Sequence, residues 1–216
     1  MMTTLFLASL ALLQQHPQQH HDRQHSFEDT TQWVEAFENE ERDAQQMPDE
    51  VVRVLKLADG DVVADIGAGT GYFARRFARA VGDDGIAYAV DLEPKMLQYV
   101  AERAVKDGQP NIVPVLATAS SPMLAPNSVD LVFICNTIHH IGSRDRYYQI
   151  LARDLRDGGR LAIVDFRKDA ELERGPDQAM RIARQALVDE ITAAGFELVE
   201  EHDFLPVQYF LVFEAP

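Results

Sequence analysis

Three glycines at alternating positions, preceded by an acid, form the part of this sequence best suited to hold a ligand. Residues 62–73 read VVADIGAGTGYF, an apolar run that ends in an acid and then turns into a glycine-rich stretch. Glycine tolerates positive φ and lets a ligand approach the backbone. The unpaired N–H groups of a following helix then face that ligand. The residues expected to line this turn are Asp65, Gly67, Ala68, Gly69 and Gly71.

The spacing of these glycines separates two classes of ligand. Dinucleotide sites use G-x-G-x-x-G, in which the third glycine allows close packing of helix against strand. In this chain Tyr72 stands where that third glycine would be. The spacing therefore argues against NAD or FAD, and an NAD-type oxidoreductase is kept only as an alternative.

A second carboxylate lies at the end of the next predicted strand. Asp91 closes the run YAVD at residues 88–91. A carboxylate there can accept charge-assisted hydrogen bonds from both hydroxyls of a ribose. The alternative is that Asp91 caps a helix beginning near Pro94. Leu92 and Met96 could pack on a base, although core packing explains Met96 equally well.

A pair of histidines follows the fourth predicted strand, in the sequence NTIHHI at residues 136–141. Histidine has an ordinary pKa near neutrality, so it can take a proton from an acceptor hydroxyl. His139 and His140 are therefore candidate general bases, and the sequence does not favour either one. Alternatively, one packs in the core and the other caps the next helix. Adjacent histidines are poorly spaced for one metal ion, so no metal site is expected.

The elements that must position these residues alternate between strand and helix from Gly60 onward, as in a parallel sheet covered on both faces. Pro114 cannot donate to a ladder and predicts an edge strand. The last two strands are joined by only a few residues, which requires an antiparallel pair. Strands are predicted at 62–66, 86–91, 111–116, 129–135, 160–165, 196–202 and 207–214. Helices are predicted at 27–43, in a short segment after Pro48, and at 72–81. A further helix begins near residue 94 and ends before Gly108. Another covers 144–156 and is closed by Gly158 and Gly159, and the last one follows a loop at 167–176 and ends at about residue 194.

This pattern resembles the class I S-adenosylmethionine (SAM)-dependent methyltransferases, whose first motif reads acid-x-G-x-G-x-G. Residues 155–161, LRDGGRL, resemble the family's L-(K/R)-P-G-G-x-L, with Asp157 in place of proline. The resemblance covers about residues 27–216. It implies an α/β fold with a Rossmann-like, doubly wound seven-stranded sheet of order 3-2-1-4-5-7-6 and an antiparallel strand 7. In that order the third strand is an edge strand, as Pro114 independently indicates.

The resemblance also implies SAM as cofactor and S-adenosylhomocysteine (SAH) as product. Asp91 would hold the ribose, and Asp65 would lie near the methionine end. Many relatives have Gly-Asp-Ala after strand three, with the acid on the adenine amino group, whereas residues 117–119 read ATA here. The expected cofactor-binding residues are Asp65, Gly67, Ala68, Gly69, Gly71, Asp91, Leu92, Thr118, Ala119 and Asn136.

The loop after strand four bears on the acceptor. It lacks the Asn-Pro-Pro-aromatic pattern of methyltransferases that act on amino groups of bases or glutamine, and it looks more like the His-His loop of enzymes acting on small molecules such as quinones. A formal net charge of −15 repels phosphate backbones, so no nucleic-acid partner is expected. The expected function is methyl transfer to a small-molecule acceptor. A catalytically silent SAM- or SAH-binding module is the alternative that the missing adenine acid favours.

Three regions are expected: a signal-like apolar segment and Gln/His-rich disordered tail at 1–25, a helical cover at 26–58, and the SAM-binding domain at 59–216. The apolar run at 5–13 is shorter than the roughly 20 residues of a membrane-spanning helix. It has no preceding basic residue and no clear cleavage site. SAM use favours the cytoplasm, while this run leaves export open. Cys135 is the single cysteine, which excludes an internal disulfide.

Overall fold

The computed structural model describes residues 30–173 and 175–216. The predicted apolar segment at 5–13 and the Gln/His-rich tail lie outside these residues. Within them, no helix is both long enough and apolar enough to cross a membrane.

Seven strands form one mixed sheet of order β3-β2-β1-β4-β5-β7-β6. They are β1 (Val62–Ile66), β2 (Ile86–Asp91), β3 (Ile112–Leu116), β4 (Val129–Cys135), β5 (Leu155–Phe166), β6 (Glu197–His202) and β7 (Gln208–Glu214). Strand β7 runs antiparallel to both of its neighbours, and the other pairs are parallel. The predicted fold is confirmed, including the edge position of β3, which contains Pro114.

Seven α-helices are described: α1 (Thr30–Phe37), α2 (Glu40–Gln46), α3 (Pro48–Leu55), α4 (Ala74–Ala80), α5 (Pro94–Asp107), α6 (Arg144–Asp154) and α7 (Arg184–Ala193). The prediction of one continuous helix over 27–43 is wrong. The Asn39 side chain accepts a hydrogen bond from the Arg42 backbone N–H at 2.8 Å and begins a second helix there. Asparagine is favoured at such an N-cap because its oxygen satisfies an orphan donor of the first turn.

The prediction that Gly158 and Gly159 close helix α6 is also wrong. The helix ends at Asp154, and β5 begins at the next residue. Val129 pairs with Leu155, but Leu131 pairs with Arg160, so the glycines lie in an irregular stretch within the strand. Gly158 has a φ of 74°, a conformation that suits a bulge as well as a helix end.

Helix α7 begins later than predicted. Residues 178–180 form a turn, and the helix starts at Arg184. The Arg181 side chain donates to the carbonyl oxygens of Pro176 at 2.9 Å and Ala170 at 2.6 Å. These side-chain bonds hold the segment in a folded loop, an interaction that helical periodicity cannot reveal.

Strand β4 lies at the centre of the sheet and is apolar on both faces. Phe133 packs on one side against Phe73 and Phe77, with ring centres 4.7 and 5.0 Å apart. Val132 belongs to the cluster on the other side, together with Tyr148 of α6. Both faces of the sheet are therefore occupied by helices, which leaves the loops at the strand ends to carry polar chemistry.

The turn after β1 packs against the loop after β4. The N–H groups of Gly67 and Ala68 both donate to the Val90 carbonyl, at 2.8 and 3.1 Å. Gly67 has a φ of 74°, and a Cβ built there would lie 2.9 Å from the Thr137 Cβ and closer to both of its branch atoms. Only glycine fits where these two loops meet.

Gly67→Ala is expected to lower the free energy of unfolding by about 2–5 kcal/mol, because positive φ costs about 1–2 kcal/mol and overpacking adds about 1–3 kcal/mol. Urea unfolding measures the change. Gly108→Ala is the matched control, since Gly108 also has positive φ (65°) but no atom within 4 Å of the added Cβ. Equal losses in the two variants would show that contact with Thr137 is unimportant.

Candidate functional site

The candidate site lies where β1 and β4 are neighbours, beyond the carboxyl ends of the parallel strands. In open α/β sheets ligands bind at this switch point, because the loops on either side diverge. The glycine loop after β1 reaches it with three positive φ angles, 74° at Gly67, 54° at Gly69 and 76° at Gly71. The structure thus brings the glycine loop, the end of β2 and the loop after β4 to one edge of the sheet.

Asp91 links the end of β2 to the glycine loop. One carboxylate oxygen accepts from the Gly69 N–H at 2.8 Å, and the other accepts from the Glu93 N–H at 3.0 Å. Helix α5 has Glu93 as its N-cap and no side-chain cap. A carboxylate has about four acceptor positions, so Asp91 retains capacity for two further donors such as ribose hydroxyls.

Apolar side chains flank Asp91 in a way that suits a base. Leu92 follows it in sequence and is 51% exposed, while Leu116 pairs with it across the sheet and is 54% exposed. Burial of such side chains under a flat ring is favourable. Met96, by contrast, is fully buried and belongs to the core.

The segment expected near adenine, Thr118 and Ala119, is exposed. The Thr118 N–H donates to the Ser121 carbonyl at 2.9 Å, and its hydroxyl is directed to the same oxygen at 3.4 Å. The local turn therefore uses both donors of Thr118, and only oxygen acceptors of this segment are left to replace the missing acid, which would have accepted from the adenine amino group.

Asp65 is buried at the end of β1 and accepts a hydrogen bond from the Ala74 N–H, at the start of α4, at 3.0 Å. Burial raises the pKa of Asp65 to about 7, and the Asp91 charge adds to this, whereas the Arg42 charge opposes it. The local capping role is the one that the contacts display. A cationic group nearby would favour ionisation of this carboxyl.

Asn136 ends a chain of buried amide hydrogen bonds. The Gln208 amide donates to Asn136 Oδ1, and Gln46 Nε2 donates to Gln208 Oε1 at 3.0 Å. The Cys135 thiol is directed to Gln46 Oε1 at 3.0 Å, and burial raises the pKa of that thiol, so it acts as the donor. The direction of the chain leaves the Asn136 amide nitrogen for another partner.

The two histidines occupy different environments. His139 Nδ1 lies 2.9 Å from both carboxylate oxygens of Asp165, and the two side chains are 2% and 1% exposed. His140 is exposed, and its ring centre is 4.3 Å from that of His139. In the described residues, no three His, Cys, Asp or Glu side chains converge as a metal site would require.

Sequence reasoning missed Asp165, Gln46 and Gln208. Asp165 lies near the end of β5, much as Asp65 and Asp91 lie at the ends of β1 and β2, so the position of an acid at a strand end could have pointed to it. The two glutamines carry no such signal, because they are 162 residues apart in sequence.

Tyr72 joins the glycine loop to the amino-terminal helices. It is 3% exposed, its hydroxyl donates to the Asp43 carboxylate, and its ring stacks on the guanidinium groups of Arg42 and Arg76. Tyr72, which stands where the dinucleotide pattern has its third glycine, therefore also connects the glycine loop to α2.

Comparison with known proteins agrees with this geometry. Residues 64–163 match the family model described as a methyltransferase domain. The arsenite methyltransferase of Halobacterium salinarum is 31% identical over 153 residues, 67% of this chain and 39% of that protein. The ubiquinone/menaquinone biosynthesis C-methyltransferase of Hahella chejuensis is 34% identical over 110 residues, 50% of this chain and 44% of that protein. The chain thus spans less than half the length of these curated relatives.

A solved structure shows the same fold over nearly its whole length. The SAM-dependent methyltransferase from Aquifex aeolicus superposes with a TM-score of 0.80 at 22% sequence identity, covering 87% of this chain and 99% of that chain.

Asp65→Asn is expected to stabilise the protein relative to wild type increasingly as pH rises from 5 to 8. The pKa of Asp65 is about 7 in the folded protein against an ordinary 3.8, so the folded state holds the extra proton between these values. Wild type therefore loses stability as pH rises through 7, by at most about 3 kcal/mol between pH 5 and 8. Urea unfolding at both pH values measures this difference.

Asp107→Asn is the control, because Arg103 lowers the pKa of Asp107 and that carboxyl does not titrate between pH 5 and 8. A pH-independent difference between wild type and Asp65→Asn would show that burial does not hold the proton on Asp65.

Proposed function

We propose that this chain, which belongs to the class I SAM-dependent methyltransferases, transfers the methyl group of SAM to a small-molecule acceptor. SAM is the methyl donor of the family, and SAH is the product. When bound, it supplies an electrophilic methyl group on a sulfonium. The protein's task is then to align an acceptor atom with that methyl group and exclude water, which can contribute several kcal/mol.

The observation that carries this proposal is the hydrogen bond from the Gly69 N–H to Asp91, at 2.8 Å. It holds the glycine loop of β1 against the one carboxylate suited to a ribose. Leu92 and Leu116 offer an apolar surface beside it for the adenine. Asp65 would lie toward the ammonium of the methionine end, where that positive charge would favour its ionised form.

The acceptor we favour is a phenol or quinol. One relative is named for ubiquinone and menaquinone biosynthesis, and another for arsenite. The thiolate is the form of cysteine that binds soft centres. Because Cys135 is the single cysteine, and its buried thiol donates to Gln46 with a raised pKa, the chain offers no thiolate for arsenite.

We further propose that the histidine pair removes the acceptor's hydroxyl proton. His140 is exposed and is the member that an acceptor can reach. The Asp165 carboxylate fixes the His139 ring through Nδ1. The His139 ring in turn positions the His140 ring, and the two ring centres are 4.3 Å apart. Because SAM is made and kept in the cytoplasm, we propose the cytoplasm as the working compartment.

Calorimetry with SAM and SAH tests the central proposal. Wild type should bind both, and Asp91→Ala should bind each about 10–100-fold more weakly, because it loses charge-assisted hydrogen bonds to the ligand. Asp49→Ala is the control for removal of one negative charge, since the Asp49 side chain is 99% exposed. Thermal unfolding shows whether Asp91→Ala retains its fold.

Absence of binding heat for wild type at millimolar SAM and SAH would sink the methyltransferase proposal. Saturable NADH binding in its place would establish the oxidoreductase alternative. Saturable SAM binding without turnover, over a broad acceptor screen, would identify a silent SAM-binding module.

Once a screen of phenols and quinols has identified an acceptor, the His140→Ala variant can be assayed with it. This variant should have a kcat about 10²–10⁴-fold lower than wild type, which is the usual contribution of a general base. Its affinity for SAM should stay within about threefold of wild type, because a base that acts on the acceptor contributes little to donor binding. His139→Gln and Asp165→Asn, which disturb the buried pair, should lower kcat less than His140→Ala does. Undiminished turnover in both histidine variants would remove the general-base role.

A further inference from the structure

Arg42 lies on α2, directly beside the glycine loop. Its Cζ is 4.0 Å from the centre of the Tyr72 ring, and its Nη1 donates to the Phe37 carbonyl at 2.8 Å. The Phe37 ring in turn lies 3.6 Å from where a Cβ of Gly69 would be. The Arg42 backbone N–H is held by Asn39 at the start of the helix. The backbone and the guanidinium of Arg42 are therefore both fixed next to the glycine loop after β1.

The charge of Arg42 is not matched by a protein carboxylate, unlike that of its neighbours. Arg75 pairs with Glu38 at 3.0 Å, and Arg76 pairs with Asp43 at 3.4 Å. Among the described residues, no ion pair within 4.0 Å involves Arg42. Arg42 is only half-buried, so its remaining guanidinium donors are open to a ligand.

The positive charge of Arg42 acts on the interior of the site. It opposes the burial that raises the pKa of Asp65 and of Cys135. Asp65 is the last residue but one of β1, and Cys135 is the last residue of β4, the strands on either side of the switch point. The guanidinium is thus close enough to the crevice between these strands to affect groups inside it.

We propose that Arg42 binds the α-carboxylate at the methionine end of SAM and SAH. The inference rests on the proposed function and names the residue that recognises this end of the cofactor. A guanidinium offers planar, paired donors that match a carboxylate. Asp65, near the end of β1, would provide the negative charge toward the ammonium. In a chain of net charge −15, a dedicated cation is needed to attract an anionic group.

The test compares two ligands that differ in this carboxylate. S-adenosyl-3-thiopropylamine keeps the nucleoside, the thioether and the amino group of SAH but lacks the carboxylate. By calorimetry, wild type should bind SAH about 10–100-fold more tightly than this amine, as expected for a charged hydrogen-bonded pair. Arg42→Gln should lose that preference by weakening SAH binding, with less than about threefold change for the amine. Arg42→Lys should retain an intermediate preference, because an ammonium is a point charge.

Arg76→Gln is the matched control. Its guanidinium stacks on the same Tyr72 ring, at 4.2 Å, but is already paired with Asp43. Arg76→Gln should leave the ratio of the SAH affinity to the amine affinity unchanged. Thermal unfolding of each variant reports whether α2 stays packed.

Two results would overturn the assignment: unchanged SAH affinity in Arg42→Gln, or equal weakening of SAH and the amine, which would indicate a structural role. Failure of wild type to bind SAM, SAH and the amine would instead contradict the proposed function itself. The two failures are distinguishable, because in the first wild type still binds SAH.

Discussion

The hydrogen bond between the Gly69 N–H and Asp91 is the interaction on which the site depends. It ties the loop after β1 to the end of β2 at 2.8 Å, next to the turn where Gly67 meets Thr137. A charged acceptor makes this bond stronger than an ordinary backbone contact. The loop, with its three positive φ angles, would otherwise have several accessible conformations. One carboxylate therefore shapes the loop and remains available to a ligand.

The amino-terminal helices are attached to this edge of the sheet by two different means. On the loop side, Tyr72 is held between Asp43 and the stacked guanidinium of Arg42. On the side of β4 and β7, the buried amides of Gln46 and Gln208 are bonded to each other. A buried amide without a partner costs about 1–3 kcal/mol. Both attachments therefore favour one placement of α2, against the glycine loop after β1 and beside β4 and β7.

How much of the fold and of the site could be predicted from the sequence depends on how far apart in sequence the interacting residues are. The strands and the edge position of Pro114 follow from apolar runs and proline chemistry, which are local, whereas the strand order came from the resemblance to the methyltransferase family. The start of α2 at Asn39 and the irregular stretch at Gly158 were missed because asparagine and glycine are compatible with more than one local structure. The pairing of His139 with Asp165 was missed because it links the segment after β4 to strand β5, 26 residues apart, and no periodicity encodes it.

Asp65 is a buried acid, and Arg42, a cation without a carboxylate partner among the described residues, acts on it electrostatically. Burial leaves Asp65 with a pKa of about 7, and Arg42 opposes this only in part. Complete pairing of these two charges would satisfy both and leave nothing for a ligand. In the complex we propose, a zwitterionic ligand end, with an ammonium toward Asp65 and a carboxylate toward Arg42, would neutralise each group separately. Incomplete neutralisation in the free protein would then become a source of selectivity, because a ligand that lacks either charge would leave one group uncompensated.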